Sequence, residues 1–249
     1  MIRRLFLALL LSFVLATAPA PRATAQEPIP PDQRQMIEQI VRDYLLKNPE
    51  VLEEATRALQ DKRDEEARAG RSQTLAKMRD EIEKDPASPV IGNPDGDVTV
   101  VEFFDYQCGY CRSVLPSMVS IIGDDKKVRF VLKELPILGN ASVLASRASI
   151  AAWKLDPGKY WDFHRALMGA KPLNESTIMV LAAKAGLDRS KLRKAMDDPA
   201  IGEIIQRNYK LAEQLNVTGT PAFVIGDRFI PGALDEDSLK SLISEARGG

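Results

Sequence analysis

The stretch FFDYQCGYCRSVLPSM, residues 103–118, contains both cysteines of this 249-residue chain. The apolar run VTVVEFF at 98–104 leads into it and is typical of a strand that is buried on both faces. Residues 109–122 have the pattern of a helix, and VRFVL at 128–132 predicts a second strand. Together they predict a compact βαβ unit, with the cysteines where the first strand gives way to the helix.

Two cysteines could serve several kinds of site. A structural zinc site needs four cysteine or histidine ligands, and beyond Cys108 and Cys111 the chain has only His164. We expect this histidine, in YWDFHRALM, to be an ordinary surface or packing residue. A structural disulfide is disfavoured because so short a loop removes little chain entropy. A copper(I) site at Cys108 and Cys111 stays open, since soft thiolates favour that ion.

The local geometry favours a redox pair. Cys108 is predicted at a helix N-terminus, where unpaired N–H groups and a partial positive charge favour thiolate over thiol. We therefore predict that Cys108 is the attacking sulfur, and that Cys111, one turn inside the helix, resolves a mixed disulfide. Gly109 and Tyr110 between them set how strongly the thiolate is stabilised and would face a bound substrate. Such a site uses the Cys108–Cys111 disulfide and no external cofactor.

A single acidic residue interrupts the first predicted strand. Glu102 lies six residues before Cys108, within VTVVEFF. Burial of a carboxylate raises its pKa, so a buried Glu102 could pass protons as the disulfide opens. The alternative is that Glu102 points to an edge of the sheet and is solvated.

The pair Thr220-Pro221 opens a late predicted strand at 222–225. Only about 5–6% of bonds that precede proline are cis in folded proteins. A cis bond here would hold the Thr220 backbone toward Cys108 and offer a strand-like edge to an extended substrate.

The rest of the main domain is predominantly helical in pattern. Residues 140–217 predict five helices, which are punctuated by Asp156-Pro157-Gly158 and Asp198-Pro199. Two short strands at 222–225 and 228–230 then flank a hairpin turn. A final helix, capped by Asp235, follows them. The predicted order is βαβ, a helical block and ββα.

The first 25 residues have the features of a secretory signal peptide. Arg3 and Arg4 precede an apolar run at 5–18, and Ala23-Thr24-Ala25 fits a cleavage site. The alternative is an uncleaved anchor. Cleavage removes three arginines and no acids, which changes the formal net charge from −1 to −4 and gives no sign of nucleic-acid binding. Export would place the cysteines in the periplasm, where disulfides form and persist.

Residues 26–83 predict a helical N-terminal arm, and KDPASPVIGNPDG at 84–96 predicts a linker before a domain at 97–249. Asp32 and Gln35 suggest a capping box at the start of the arm. A charged run at 61–71 interrupts its apolar pattern. Either the apolar stripes fold back onto the main domain or they pack against copies of themselves. The first stripe consists of Met36, Ile37, Ile40, Val41, Tyr44 and Leu45.

Three separated motifs, EFFDYQCGYC, KELPIL and GTPAFVIG, resemble the DsbA-like branch of the thioredoxin superfamily, over roughly residues 97–247. The resemblance implies an α/β thioredoxin fold with a helical insertion at about 140–217. It also implies an active Cys108–Cys111 pair with a cis Pro221 beside it. Glu102 matches the buried glutamate of that branch. Gly109-Tyr110 departs from the Pro-His of the best-known oxidase.

The arm segment IEQIVRDYLLKNPEVLEEATRALQ, residues 37–60, resembles the start of the suppressor of copper sensitivity protein C (ScsC) group. In that group the arm can form trimers, and a trimeric member is a disulfide isomerase kept reduced by a membrane partner; other members are monomeric. The resemblance thus implies a periplasmic, homo-oligomeric isomerase that reshuffles wrong disulfides in exported proteins, with a link to copper tolerance. A net dithiol oxidase and a copper(I)-binding protein are the alternatives.

Overall fold

The computed structural model describes residues 30–248. The predicted signal peptide lies outside this range. The chain divides into two compact units, of which the first ends at Gln60 and the second begins at Asp61. Across the described range, no helix combines the length and the apolar character that a membrane crossing requires.

The first unit contains α1 (Pro31–Lys47) and the start of α2 (Glu50–Lys77). The predicted cap at Asp32 is wrong, because α1 begins one residue earlier, at Pro31, and has no side-chain cap. Proline is well suited to the first helical position because its fixed φ is helical. Asp32 lies instead in the first turn, where its charge suits the helix dipole.

No residue of α1 is buried. Five apolar side chains on one side of the helix are between 49% and 64% exposed. We call this set the arm stripe, and it consists of Met36, Ile37, Ile40, Val41 and Tyr44. An apolar face of this kind on a helix normally packs against another surface.

The second unit is built on a five-stranded mixed sheet in the order β1-β3-β2-β4-β5. Strands β2 and β3 are parallel, and the other neighbours are antiparallel. The strands are β1 (Val90–Gly92), β2 (Val98–Phe104), β3 (Val128–Glu134), β4 (Ala222–Ile225) and β5 (Arg228–Pro231).

Strand β1 lies within residues 84–96, the segment that the sequence predicted as a turn-forming linker. Val90 pairs with Val131 and Ile91 pairs with Phe130, so β1 covers the outer edge of β3. An uncovered edge leaves backbone N–H and C=O groups unpaired. The short apolar pair between two turn-forming stretches supplies the missing strand.

The helical prediction for 140–217 is confirmed as five helices between Asn140 and Gln214. Four of them start where an Asp or Asn side chain accepts a backbone N–H, at Asp156, Asn174, Asp188 and Asp198. The helices of this unit are α3 (Arg79–Glu83), α4 (Gly109–Asp124), α5 (Asn140–Leu155), α6 (Pro157–Gly169), α7 (Glu175–Lys184), α8 (Arg189–Met196), α9 (Pro199–Gln214) and α10 (Glu236–Ala246).

The sheet separates two apolar layers, because alternate residues of a strand point to opposite faces. Val100 and Phe104 belong to the layer that also holds α4, the insertion helices and α10. Val101 and Phe103 belong to the other layer. There they pack with residues from the end of α2, from α3 and from α9, namely Leu75, Ile82 and Leu211.

A buried lysine fastens the segment around α3 to the second layer. Lys133 on β3 is fully buried. Its ammonium donates to the carbonyl oxygen of Glu81 at 2.9 Å and lies 3.5 Å from Oδ2 of Asp85. The end of the predicted arm is thus part of the compact unit that begins at Asp61.

Candidate active site

Cys108, the predicted attacking residue, lies at the start of α4. Cys108 is the N-cap of this helix, with φ −68° and ψ 120°, and its Sγ accepts the backbone N–H of Cys111 at 3.4 Å. A negative charge on Sγ would therefore sit against an amide that the helix leaves unpaired. Both cysteines are buried free thiols.

A second segment, 112 residues further along the chain, reaches the same sulfur. The Cys108 thiol donates to the carbonyl oxygen of Thr220 at 3.2 Å. The Thr220–Pro221 bond is cis. Strand β4 is antiparallel to β2, with Ala222 opposite Phe103. The chain just before β4 therefore passes the end of β2, where Cys108 lies.

The second cysteine is more enclosed than the first. Cys111 is 1% exposed and belongs to the first apolar layer. Burial raises the pKa of the Cys111 thiol far above its ordinary value, and the negative charge of Glu102 raises it further. Cys111 therefore keeps its proton at neutral pH until a base removes it.

The dipeptide between the cysteines forms the exposed part of the motif. Tyr110 is 72% exposed, and Gly109 is exposed as well. No atom outside its own helix turn lies within 4 Å of the place where a Cβ on Gly109 would stand. A client chain that reaches Cys108 thus meets a free aromatic ring and an open backbone.

Glu102 lies on β2, in the middle of the sheet, which contradicts the alternative of a solvated edge position. It is 1% exposed and shares a face with Val100 and Phe104, the face that α4 covers. Burial raises the pKa of Glu102 to about 8, with further contributions from the charges of Cys108 and Glu134.

Two acidic residues near the site escaped the sequence analysis. Glu134, at the end of β3, is also 1% exposed, and burial raises its pKa to about 8. Asp105 is fully buried and accepts hydrogen bonds from the Ser142 hydroxyl at 2.7 Å and from the Leu138 amide at 2.9 Å. Asp105 thereby ties the turn before Cys108 to the helical insertion. Both residues could have been found in the sequence, because each is an acidic residue at the end of an apolar run that predicts a strand.

His164 is a packing residue, and the surface alternative is wrong. Its ring is fully buried and stacks on Trp161 with centroids 5.4 Å apart. The Tyr106 hydroxyl lies 2.9 Å from Nδ1. Burial lowers the pKa of His164 to about 3, so the ring is neutral. In residues 30–248, no three His, Cys, Asp or Glu side chains cluster in a way that could hold a metal.

Fold and site together define a class of protein: a thiol-disulfide oxidoreductase with a thioredoxin fold, in which a cysteine pair opens a helix and a cis proline faces it. Residues 99–244 match the DSBA-like thioredoxin domain, and residues 33–66 match the copper resistance protein ScsC N-terminal domain. The chain belongs to the DsbA-like thioredoxin family and carries an ScsC-type N-terminal region.

Solved structures and curated proteins agree with this assignment. A thioredoxin-like oxidoreductase from Silicibacter pomeroyi is 42% identical with a TM-score of 0.65, over 69% of this chain and 98% of that one. A linker-deletion mutant of ScsC from Proteus mirabilis is 32% identical with a TM-score of 0.69, over 91% and 99%. Disulfide bond formation protein D of Bacillus subtilis is 29% identical, over 65% and 78%. The chain also matches about a quarter of the length of two Salinispora Na(+)/H(+) antiporters.

The buried acids predict how stability depends on pH. The Glu102 carboxyl ionises near 4.5 when unfolded and near 8 when folded. Between these values the unfolded chain binds fewer protons, so stability falls as pH rises. We expect this group alone to lower the free energy of unfolding of the reduced protein by on the order of 4 kcal/mol from pH 4.5 to 8, and Glu134 to lower it in the same direction. Urea unfolding at several pH values measures it.

Glu102→Gln should remove the share of this dependence that Glu102 contributes, because the amide cannot ionise, while the share of Glu134 remains. Glu203→Gln is the matched control, since Glu203 is exposed and its replacement should leave the slope as in the wild type. A Glu102→Gln protein with the wild-type slope would show that Glu102 does not titrate as described.

Proposed function

We propose that this protein is a periplasmic disulfide isomerase, which reshuffles wrong disulfides in exported proteins through Cys108 and Cys111. Among thiol-disulfide oxidoreductases, the exposed arm stripe is the observation that favours an oligomeric isomerase. Five large side chains on one face of α1 are about half exposed or more. A second copy of the same helix would bury them.

The reaction begins at Cys108. Its thiolate attacks one sulfur of a client disulfide, so that a Cys108–client disulfide forms and the other client sulfur leaves as a thiolate. In isomerisation, a different thiolate of the same client attacks the client sulfur of the mixed disulfide. A new client disulfide forms and the Cys108 thiolate leaves, with no net change in oxidation state. The Cys111 N–H at 3.4 Å stabilises the Cys108 anion each time it forms.

Cys111 provides the way out of a stalled complex. Glu102 takes the proton of Cys111, and the resulting thiolate attacks Cys108. The Cys108–Cys111 disulfide forms, and the client sulfur leaves as a thiolate that then takes up a proton. The client has thus been reduced by two electrons, and the cysteine pair has been oxidised. A membrane thiol reductase must then return two electrons to the pair before the protein can act as an isomerase again.

The surroundings of Cys108 suit an extended client chain. The Thr220 carbonyl, beside Cys108, and the Pro221 that follows it offer an edge to which a client backbone can bind, as strands pair in β-augmentation. Gly109 and Tyr110, which directly follow Cys108 in the chain, are exposed. Recognition through backbone groups and one aromatic ring fits an enzyme that accepts many clients.

Homo-oligomerisation through the arm, with a trimer favoured, gives the isomerase its advantage. Tethered active sites that face one client raise the local concentration of thiolates. An incorrectly paired client then meets a second Cys108 before it diffuses away. The match of residues 33–66 to an N-terminal domain named for copper resistance supports a role in copper tolerance.

The test compares two activities of the mature chain, residues 26–249. We expect it to recover activity from a scrambled-disulfide client faster than it oxidises a reduced client, and we expect thiol trapping from periplasmic extracts to find Cys108 and Cys111 reduced. Fast oxidation with a trapped disulfide would instead identify a net oxidase. A copper(I) titration in the presence of a strong chelator tests the copper-binding alternative. That alternative predicts that Cys108 and Cys111 hold one copper(I) ion in competition with the chelator.

A further inference from the structure

A second buried carboxyl group lies on the same face of the sheet as Glu102. In the parallel pairing of β2 with β3, Glu102 is opposite Leu132 and Phe104 is opposite Glu134. Residues two apart in a strand share a face. Glu134 therefore lies on the same face as Glu102, two residues further toward the carboxyl ends of β2 and β3. The apolar layer that contains Cys111 covers this face.

These two groups are poorly compensated. Both are 1% exposed, and none of their four carboxyl oxygens has a hydrogen-bond partner of good geometry within residues 30–248. Burial raises the pKa of Glu134 by more than the hydroxyl groups of Ser149, Ser146 and Tyr106 lower it. The neighbouring cation on β3, Lys133, points to the opposite face, where it donates to the Glu81 carbonyl. Two unpaired acids on one buried face cannot both be ionised without strong mutual repulsion.

The cation of α4, Arg112, is engaged mainly with backbone carbonyl oxygens, although one of its Nη atoms is buried without a partner among the described residues. The Arg112 guanidinium of α4 directs Nε and one Nη to the Met168 and Tyr106 carbonyl oxygens, at 2.7 Å each. His164 of α6 is held neutral by burial. The remaining titratable groups around this carboxyl are Glu102, Asp105, Tyr106, Tyr160 and, beyond Glu102, Cys108 and Cys111.

We infer that Glu134 is a positioning residue for the thiol chemistry: its carboxyl group sets the protonation state of Glu102, and through Glu102 the ease with which Cys111 gives up its proton. The inference rests on the proposed roles of Cys111 and Glu102. A charge on Glu134 disfavours a second charge on Glu102. Where Glu134 is ionised, near and above pH 8, it keeps Glu102 protonated to a higher pH, and the mixed disulfide lives longer there, which favours isomerisation over release.

The experiment measures only the closing step, in which Cys111 attacks the mixed disulfide at Cys108. The reduced protein is mixed with 5,5′-dithiobis(2-nitrobenzoate), so that Cys108 forms a mixed disulfide, and the release of the second coloured thiolate reports attack by Cys111. We expect Glu134→Gln to move the midpoint of the rate-against-pH curve about one pH unit lower, because a like charge has been removed. Glu203→Gln should leave the midpoint unchanged.

The Glu102→Gln variant distinguishes the role of Glu102 as the base from the role of Glu134 in setting its protonation state. If Glu102 is the base, this variant closes at least tenfold more slowly at pH 8, and adding Glu134→Gln to it changes nothing further. An unchanged profile in Glu102→Gln overturns the proposed base and the inference with it. A changed profile there, with a wild-type midpoint in Glu134→Gln, overturns the inference alone.

A second measurement does not depend on folding of the Glu134 variant. Infrared difference spectra follow the carboxyl C=O stretch of Glu134 as pH rises. With Glu102→Gln, the Glu134 titration should move lower and become a single sharp step, because its partner no longer ionises. A Glu134 titration that is the same with and without Glu102 contradicts the coupling.

Discussion

Replacing Cys108 with serine should abolish the reaction, whereas replacing Cys111 with serine should trap it half-way. A serine hydroxyl at the N-cap of α4 cannot serve as the thiolate that the Cys111 N–H stabilises. We expect Cys108→Ser to lower the rate of attack on a client disulfide by at least about a thousandfold. Stopped-flow mixing with a strained disulfide substrate measures this rate.

Cys111→Ser removes the resolving thiol and leaves the attacking one in place. The mixed disulfide between Cys108 and the client should then accumulate, and it should appear as a covalent adduct on non-reducing gels. Ser113→Ala is the control, because this exposed hydroxyl on the same helix only bonds the Tyr110 carbonyl. If Cys111→Ser forms no adduct, or if Cys108→Ser still attacks, the assigned order of the two sulfurs is incorrect.

Charged substitutions in the arm stripe should separate isomerisation from thiol reactivity. Ile40 and Tyr44 lie one turn apart in the stripe and are 60% and 55% exposed in the single chain. Glutamate at both positions would place two carboxylates in any interface that the stripe forms, at a cost of several kcal/mol. We expect the double variant to have the mass of a single chain and to lose isomerase activity at least about tenfold.

The reaction of Cys108 with a small disulfide should stay as in the wild type. The control adds glutamate at Gln35 and Arg42, which lie on the other side of α1 and are also exposed. Light scattering and the scrambled-client assay are run on all three proteins. An oligomer that persists with Ile40→Glu and Tyr44→Glu, or a monomer with full isomerase activity, would contradict the proposed use of the arm.

Point substitutions are sharper here than a deletion. A deletion through residue 90 would remove Leu75 and Ile82, which are buried in the second apolar layer. It would also remove the carbonyl of Glu81, to which the buried ammonium of Lys133 donates. Loss of activity would then report damage to the compact unit that starts at Asp61, whereas an arm deletion that ends at Gln60 leaves these contacts intact.

The order of elements was predictable because each depends on its own neighbours in the chain. The apolar run at 98–104 gave the bounds of β2 as observed. The cysteine spacing placed Cys108 at the start of α4. The five helices of the insertion followed from apolar periodicity and from the boundaries at Asp156-Pro157-Gly158 and Asp198-Pro199. The existence of a helical arm followed from the same periodicity.

The contacts around the sulfurs were decided by tertiary pairing. Thr220 reaches Cys108 because β4 pairs with β2 in one particular register, and a local pattern specifies a strand but not its partner. The sequence predicted this neighbour only on the condition that the bond before Pro221 is cis, which the family resemblance implied. Strand β1 is a comparable case, since two apolar residues among turn formers become a strand only where an edge is open beside them.

The sequence by itself determined that redox exchange is the favoured chemistry, because two thiols at the start of a helix suit it, and it left a copper(I) site open. Tertiary structure decided which acids join that chemistry. Glu102 and Glu134 are 32 positions apart, and only the parallel register of β2 and β3 sets them on one buried face. Burial then raises the pKa of both carboxyl groups to about 8, because the interior solvates a charge poorly.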